Sequence, residues 1–168
     1  NALVIPSIPK YIDYKDELVV DGEIICMNHN FLQFANDYAN SRNFASGSIR
    51  LLDSKECEKR NLTFVAWEMV KGYEHVNSAI DKLQGLRKLN FHVVPFEIIY
   101  KELITDQLVE SLKMAADIAG YPIDGLVAKY DNISYGKSLG ATAHHRRDGL
   151  AFKFFDEAMS THLIDIEW

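Results

Sequence analysis

The sequence predicts an α+β fold with mainly antiparallel sheets flanked by helices. Runs rich in β-branched and aromatic residues recur along the chain, as in Leu62 to Val70 (LTFVAWEMV). Two long segments carry apolar residues at helical spacing, Val76 to Leu89 and Leu103 to Ala119. Strands and helices do not alternate in the βαβ rhythm of a parallel sheet, and no internal repeat or low-complexity stretch is present.

In chain order, Leu3 to Ile8 is a short apolar run closed by Pro9 and reads as an edge strand. Leu18 to Met27 reads as a strand interrupted at Asp21-Gly22. Asn30 to Asn40 places Phe31, Phe34, Ala35 and Tyr38 at helical spacing. Ser41 to Ser48 is small and polar, which predicts a loop. After the strand at Leu62 to Val70 and the helix at Val76 to Leu89, Phe91 to Tyr100 reads as strand. The helix from Leu103 to Ala119 stops at Gly120, a C-terminal signal. Ile123 to Tyr130, Leu150 to Phe155 and Thr161 to Glu167 are the remaining strand candidates.

A chain of 168 residues suits one domain, or one domain with a short appendage. Hydrophobic residues at 48% and charged residues at 25% exclude a disordered polypeptide. No apolar run is long enough to span a bilayer, and nothing resembles a signal peptide. The sequence starts at Asn1 rather than Met, so further residues are expected upstream or on another chain. Cys26 and Cys57 lie far apart without CxxC spacing, which excludes a zinc knuckle built from this chain alone. Both read as reduced structural residues of a cytoplasmic protein.

The net charge of −6 argues globally against nucleic acid, yet basic residues cluster locally. One cluster holds Arg42, Arg50, Lys55, Lys59 and Arg60, and the other is His144-His145-Arg146-Arg147. By themselves these clusters read as solvated faces rather than as binding surfaces.

Charged residues inside apolar strands carry more information. Alternation puts Asp21 and Glu23 on one strand face, where a carboxylate can accept from a ribose hydroxyl, help to hold a metal, or simply face water. Lys129 shares a face with Gly125 and Val127, and Lys153 shares one with Ala151 and Phe155. A lysine embedded in an apolar strand must find an anion or reach water along its stem. Two such lysines on separate strands can serve one phosphate.

The order of these motifs resembles the covalent nucleotidyltransferases: Asp21-Gly22-Glu23, then the aromatic strand Phe64 to Trp67, then Asp124-Gly125-Leu126-Val127-Ala128-Lys129, then Phe152-Lys153-Phe154. Within that superfamily, Ser41 to Asp53 (SRNFASGSIRLLD) is similar to a signature of the NAD-dependent DNA ligases. Lys59 to Phe64 and Leu139 to Thr142 continue the likeness, which covers residues 1 to 157. The resemblance implies a ligase adenylation (nucleotidyltransferase) fold, nicked duplex DNA and NAD as partners, and magnesium as a helper ion. It implies that Glu23 binds the adenylate ribose and that Trp67 stacks on adenine. Lys129 and Lys153 would neutralise the α-phosphate and the charge developing on it. Arg42 and Arg50 would contact DNA near the nick without reading sequence.

The chain departs from the family pattern in three places. It contains no Lys-x-Asp-Gly, the nearest look-alike being Arg146-Arg147-Asp148-Gly149, and arginine is a poor nucleophile because it stays protonated. Asp21 stands where the NAD-dependent enzymes usually have Arg, as in the ATP-dependent ligases. Ala116 or a neighbour stands where an Arg is expected. The expectation is therefore an adenylation domain at 1–157 whose nucleophile comes from an upstream segment or a second chain. Residues 158–168 are expected to open an oligonucleotide-binding domain, since Thr161 to Trp168 resembles its first strand. The expected location is the cytoplasm of a bacterial or phage-infected cell, away from any membrane. The rival expectations are a non-catalytic DNA- or nucleotide-binding subunit of a split ligase and an ATP-dependent relative.

Overall fold

The structure is a computed structural model that describes residues 1–143, 145–154 and 162–165. Two small antiparallel sheets and a set of helices give the expected α+β class. In the first sheet β1 (Val19–Ile25) pairs with β2 (Thr63–Lys71). In the second β3 (Gly125–Lys129) pairs with β4 (Gly149–Lys153). The helices are α1 (Asn28–Phe31), α2 (Ser41–Ile49), α3 (Ser54–Glu58), α4 (Ala79–Lys88), α5 (Asp106–Ala119) and α6 (Ile133–Ser138).

Two hydrophobic clusters hold the first sheet in place. One gathers Ile5, Cys26, Phe44, Ala45, Cys57 and Leu62. At its centre the fully buried Phe44 stacks on Phe34 at 4.3 Å and meets Tyr38 edge-on at 5.0 Å. Burying a phenylalanine in this way contributes about 2–3 kcal/mol. The second cluster sets Leu83 and Leu86 of α4 against Ala66 and Met69 of β2, with Val93 beside them. Both cysteines are free and buried, and burial pushes the Cys26 thiol up to about 11.

Four elements differ from their sequence-based expectation. Ala2–Val4 is a single 3-10 turn rather than part of an edge strand, and Ile5 goes into the core. Pro6 and Pro9 remove two ladder donors from that segment. Ser41 to Ser48 is helix, not loop. Asn40 caps α2 by accepting from the Asn43 amide at 2.8 Å, and Phe44, Ala45 and Ser48 turn one side of the helix into the core. The helical spacing of Asn30 to Asn40 yields only the end of α1 and a 3-10 turn at Leu32–Phe34. Phe91 to Tyr100 forms one bridge, Ala66 to Val93, before Pro95 ends the pairing. The strand expected at Thr161 to Glu167 lies largely outside the described residues, and 162–165 contain no strand.

A polar clamp ties the second sheet to the first. The Ser134 amide and hydroxyl donate to Asn77 Oδ1 at 2.8 and 2.7 Å, and Ser78 Oγ donates to Asp131 Oδ1 at 2.9 Å. These bonds join the start of α4, which follows β2, to the start of α6, which follows β3. Helix α5 is capped by Thr105 and ends on Gly120, whose φ of 82° suits glycine. The Gly120 carbonyl accepts from the Asn28 amide at 2.8 Å and fastens the approach to β3.

Candidate functional site

The β3–β4 register decides where the lysines point. Gly125 is opposite Lys153 and Lys129 is opposite Gly149, so both lysines lie on one face at opposite ends of the pair. Four residues of strand separate them by roughly 13 Å between Cα atoms. The strands approach so closely that a Cβ on Gly125 would meet the Phe152 carbonyl oxygen. That explains the glycine inside the Asp-Gly motif.

Each ammonium is held by a different carboxylate. Lys129 Nζ donates to Glu68 Oε2 of β2 at 3.0 Å and lies 3.8 Å from Asp148 Oδ2. Arg146 Nη2 lies 2.8 Å from the other Glu68 oxygen, and its Nη1 lies 4.0 Å from Asp148. Burial pushes the Glu68 carboxyl up, but hydrogen bonds and charge from Lys129 and Arg146 outweigh it and leave the group below its ordinary value. Lys153 Nζ lies 3.3 Å from Asp124 Oδ2, an oxygen that Arg42 Nη2 shares at 3.2 Å. The bond from Lys153 is the largest cause holding the Asp124 carboxyl below its ordinary value, and Arg42 adds to it.

Arg42, in the first turn of α2, also lines a groove of about 100 Å³ with Glu23, Cys26, Ser41, Ser46 and Pro122. Among the described residues Glu23 has no side-chain hydrogen bond or ion pair, and it is exposed on the same β1 face as Asp21. Across the sheet Asp21 pairs with Glu68 and Gly22 with Ala66, which leaves Trp67 as the extra residue of a bulge. A bulge re-aims its side chain, and Trp67 is 45% exposed, so it is not a core residue. Arg50 caps the far end of α2, roughly 12 Å along the helix from Arg42, and is exposed without an ion pair among the described residues.

The fold thus brings Glu23 and Arg42 to one groove, joins Lys153 to it through Asp124, and fastens Lys129 to Glu68, the residue after Trp67. It does not put the two ammonium groups on a common partner, and it leaves Arg50 apart. Glu68, Asp124, Arg146 and Asp148 were not singled out as site residues by sequence reasoning. Glu68 carried the same signal as the lysines, a charge within an apolar strand. Among the described residues no group of three metal-ligating side chains stands together. No described helix is long and apolar enough to cross a membrane.

The family model of the NAD-dependent DNA ligase adenylation domain matches residues 1–157. The chain belongs to this family. It is 35% identical to a DNA ligase of Ruminiclostridium cellulolyticum, over 100% of this chain and 27% of that protein. Identity is 34% to a DNA ligase of Clostridioides difficile and 33% to one of Mycoplasmopsis agalactiae, each over 99% of this chain and 26% of the relative. The chain therefore spans about a quarter of the length of these curated ligases. The family model covers every residue of this adenylation domain that carries a candidate role, from Glu23 to Lys153.

Proposed function

We propose that this chain is the nucleotide-holding part of a DNA ligase that seals nicks in duplex DNA with NAD as the AMP donor. One observation carries the reading: the β3–β4 pair presents Lys129 and Lys153 on one face, with Lys129 fastened to Glu68, the residue after Trp67, and Lys153 joined to the Arg42 groove. Two cations on one face, an exposed aromatic ring on the sheet that Lys129 is tied to, and a carboxylate in the Arg42 groove without a partner among the described residues fit a nucleotide phosphate, a base and a ribose respectively.

In this reading Trp67 stacks on adenine and Glu23 accepts from the ribose hydroxyls. A lysine of a Lys-x-Asp-Gly segment, supplied upstream or by a second chain, attacks the α-phosphate. The phosphorus–oxygen bond to nicotinamide mononucleotide breaks, and that group leaves with the bonding electrons. AMP then passes to the 5′-phosphate of the nick, and the 3′-hydroxyl displaces it. Lys129 and Lys153 stand beside the phosphate and offset the charge that builds on its oxygens in both transfers. Lys153 reaches it by giving up a largely exposed ion pair, and such pairs are weak, whereas Lys129 keeps Glu68 and turns another of its three N–H donors to the phosphate. Arg42 and Arg50 touch the DNA backbone and hold the nick in register. A magnesium ion would offset phosphate charge further, held mainly by phosphate oxygens and water.

The test is nick sealing by a ligase polypeptide that contains this chain together with a Lys-x-Asp-Gly segment. Lys129→Ala and Lys153→Ala should each lower sealing by roughly two to four decades while leaving the circular dichroism spectrum unchanged. Sealing at wild-type rates by both variants would remove the assignment.

A further inference from the structure

We propose that Arg146 is a further phosphate-binding residue, forming with Lys129 a two-cation clamp whose spacing Glu68 sets. The inference rests on the reading of Lys129 as a phosphate contact, and it adds a residue that neither the motif order nor the family match assigns. The observation behind it is a shared carboxylate. Glu68 offers one oxygen to Lys129 Nζ at 3.0 Å and the other to Arg146 Nη2 at 2.8 Å. Two cations that meet opposite oxygens of one carboxylate stand side by side, at a spacing that two oxygens of a phosphate also match.

The backbone around Arg146 supports this placement. Ala141 and Arg146 form an antiparallel bridge, and the Arg147 amide donates to the Gly140 carbonyl at 3.0 Å. These bonds turn the segment back just before β4 and return Arg146 to the Lys129 end of the hairpin. Its side chain is 52% exposed. Glu68 and Asp148 engage Nη2 and Nη1, and a guanidinium carries five N–H donors, so donors remain for a ligand. Glu68 is only 21% exposed and is anchored in β2, so it can hold both cations in place while a phosphate meets them from the solvent side. Asp148, at 3.8 and 4.0 Å, holds them loosely. A phosphate can take over that contact without disturbing the shorter bonds to Glu68.

Titration of the full chain with AMP and with adenosine, followed by NMR chemical shifts, separates a phosphate contact from a structural one. The two ligands differ only in the phosphate. Arg146→Ala should weaken AMP binding about tenfold and leave adenosine unchanged. Lys129→Ala should do the same. Arg146→Lys, which keeps the charge and loses the fork, should recover part of the AMP affinity. Selective loss of AMP binding in Lys129→Ala with none in Arg146→Ala would overturn the clamp and leave the reading of Lys129 standing. Equal weakening of AMP and adenosine in Arg146→Ala, or tighter AMP binding, would also overturn the clamp. If Lys129→Ala leaves AMP affinity unchanged, the reading on which the clamp rests falls, and the clamp with it.

Discussion

At the residue scale, the proposed function rests on charged groups that a strand would not otherwise tolerate. Lys129, Lys153 and Glu68 all sit in β-strands rich in apolar residues, and each has a partner of opposite charge from another element. Glu68 makes that dependence measurable. Its carboxyl is pushed up by burial and pulled down further by Lys129 and Arg146, so its folded value lies below its unfolded one. Such a group stabilises the fold above the unfolded carboxylate range and loses that contribution as pH falls through the folded value. Glu68→Gln should therefore cost about 1 kcal/mol at neutral pH. In acid, below both values, the variant and the wild type should unfold alike. Urea unfolding at several pH values reads this directly, and an equal gap at every pH would contradict it. Trp67 gives a second residue-level expectation. Because it is half exposed on a bulge, Trp67→Ala should lower AMP and adenosine affinity together while changing the melting temperature little. A large stability loss with unchanged affinity would return the ring to a structural role.

At the element scale, helix α2 shows where sequence reading stops. Its residues are small and polar with weak helix propensity, and the segment reads as loop. The helix exists because Asn40 satisfies the Asn43 amide and because Phe44 and Ala45 are drawn into a core built by distant parts of the chain. Tertiary burial of that kind leaves no period in so short a stretch. The strands β1 to β4 were legible because alternation and β-branched residues persist over several positions. The lysines were legible because a charge in such a run stands out. The Glu68–Arg146 partnership was not, since no spacing rule joins residues on β2 to the turn before β4. The cap can be tested by itself. Asn40→Ala should lower stability by about 1 kcal/mol in denaturant unfolding and loosen Arg42, which α2 positions in the groove. No change in stability would mean that core packing alone sets the helix.

At the scale of the whole molecule, the central claim is that this chain holds the nucleotide while the lysine that becomes adenylated lies outside it. The sequence contains no Lys-x-Asp-Gly, and both motif lysines sit beside the place proposed for the phosphate. A nucleophile must stand in line with the leaving group, whereas charge stabilisation comes from the side. The most direct measurement is incubation with adenylate-labelled NAD, followed by mass mapping of any covalent AMP. The 168-residue chain by itself should acquire none. With a Lys-x-Asp-Gly segment supplied, fused or as a separate chain, label should appear on that segment's lysine, and more readily from NAD than from ATP. Adenylate mapped to Lys129, Lys153 or any other residue of this chain would contradict the account.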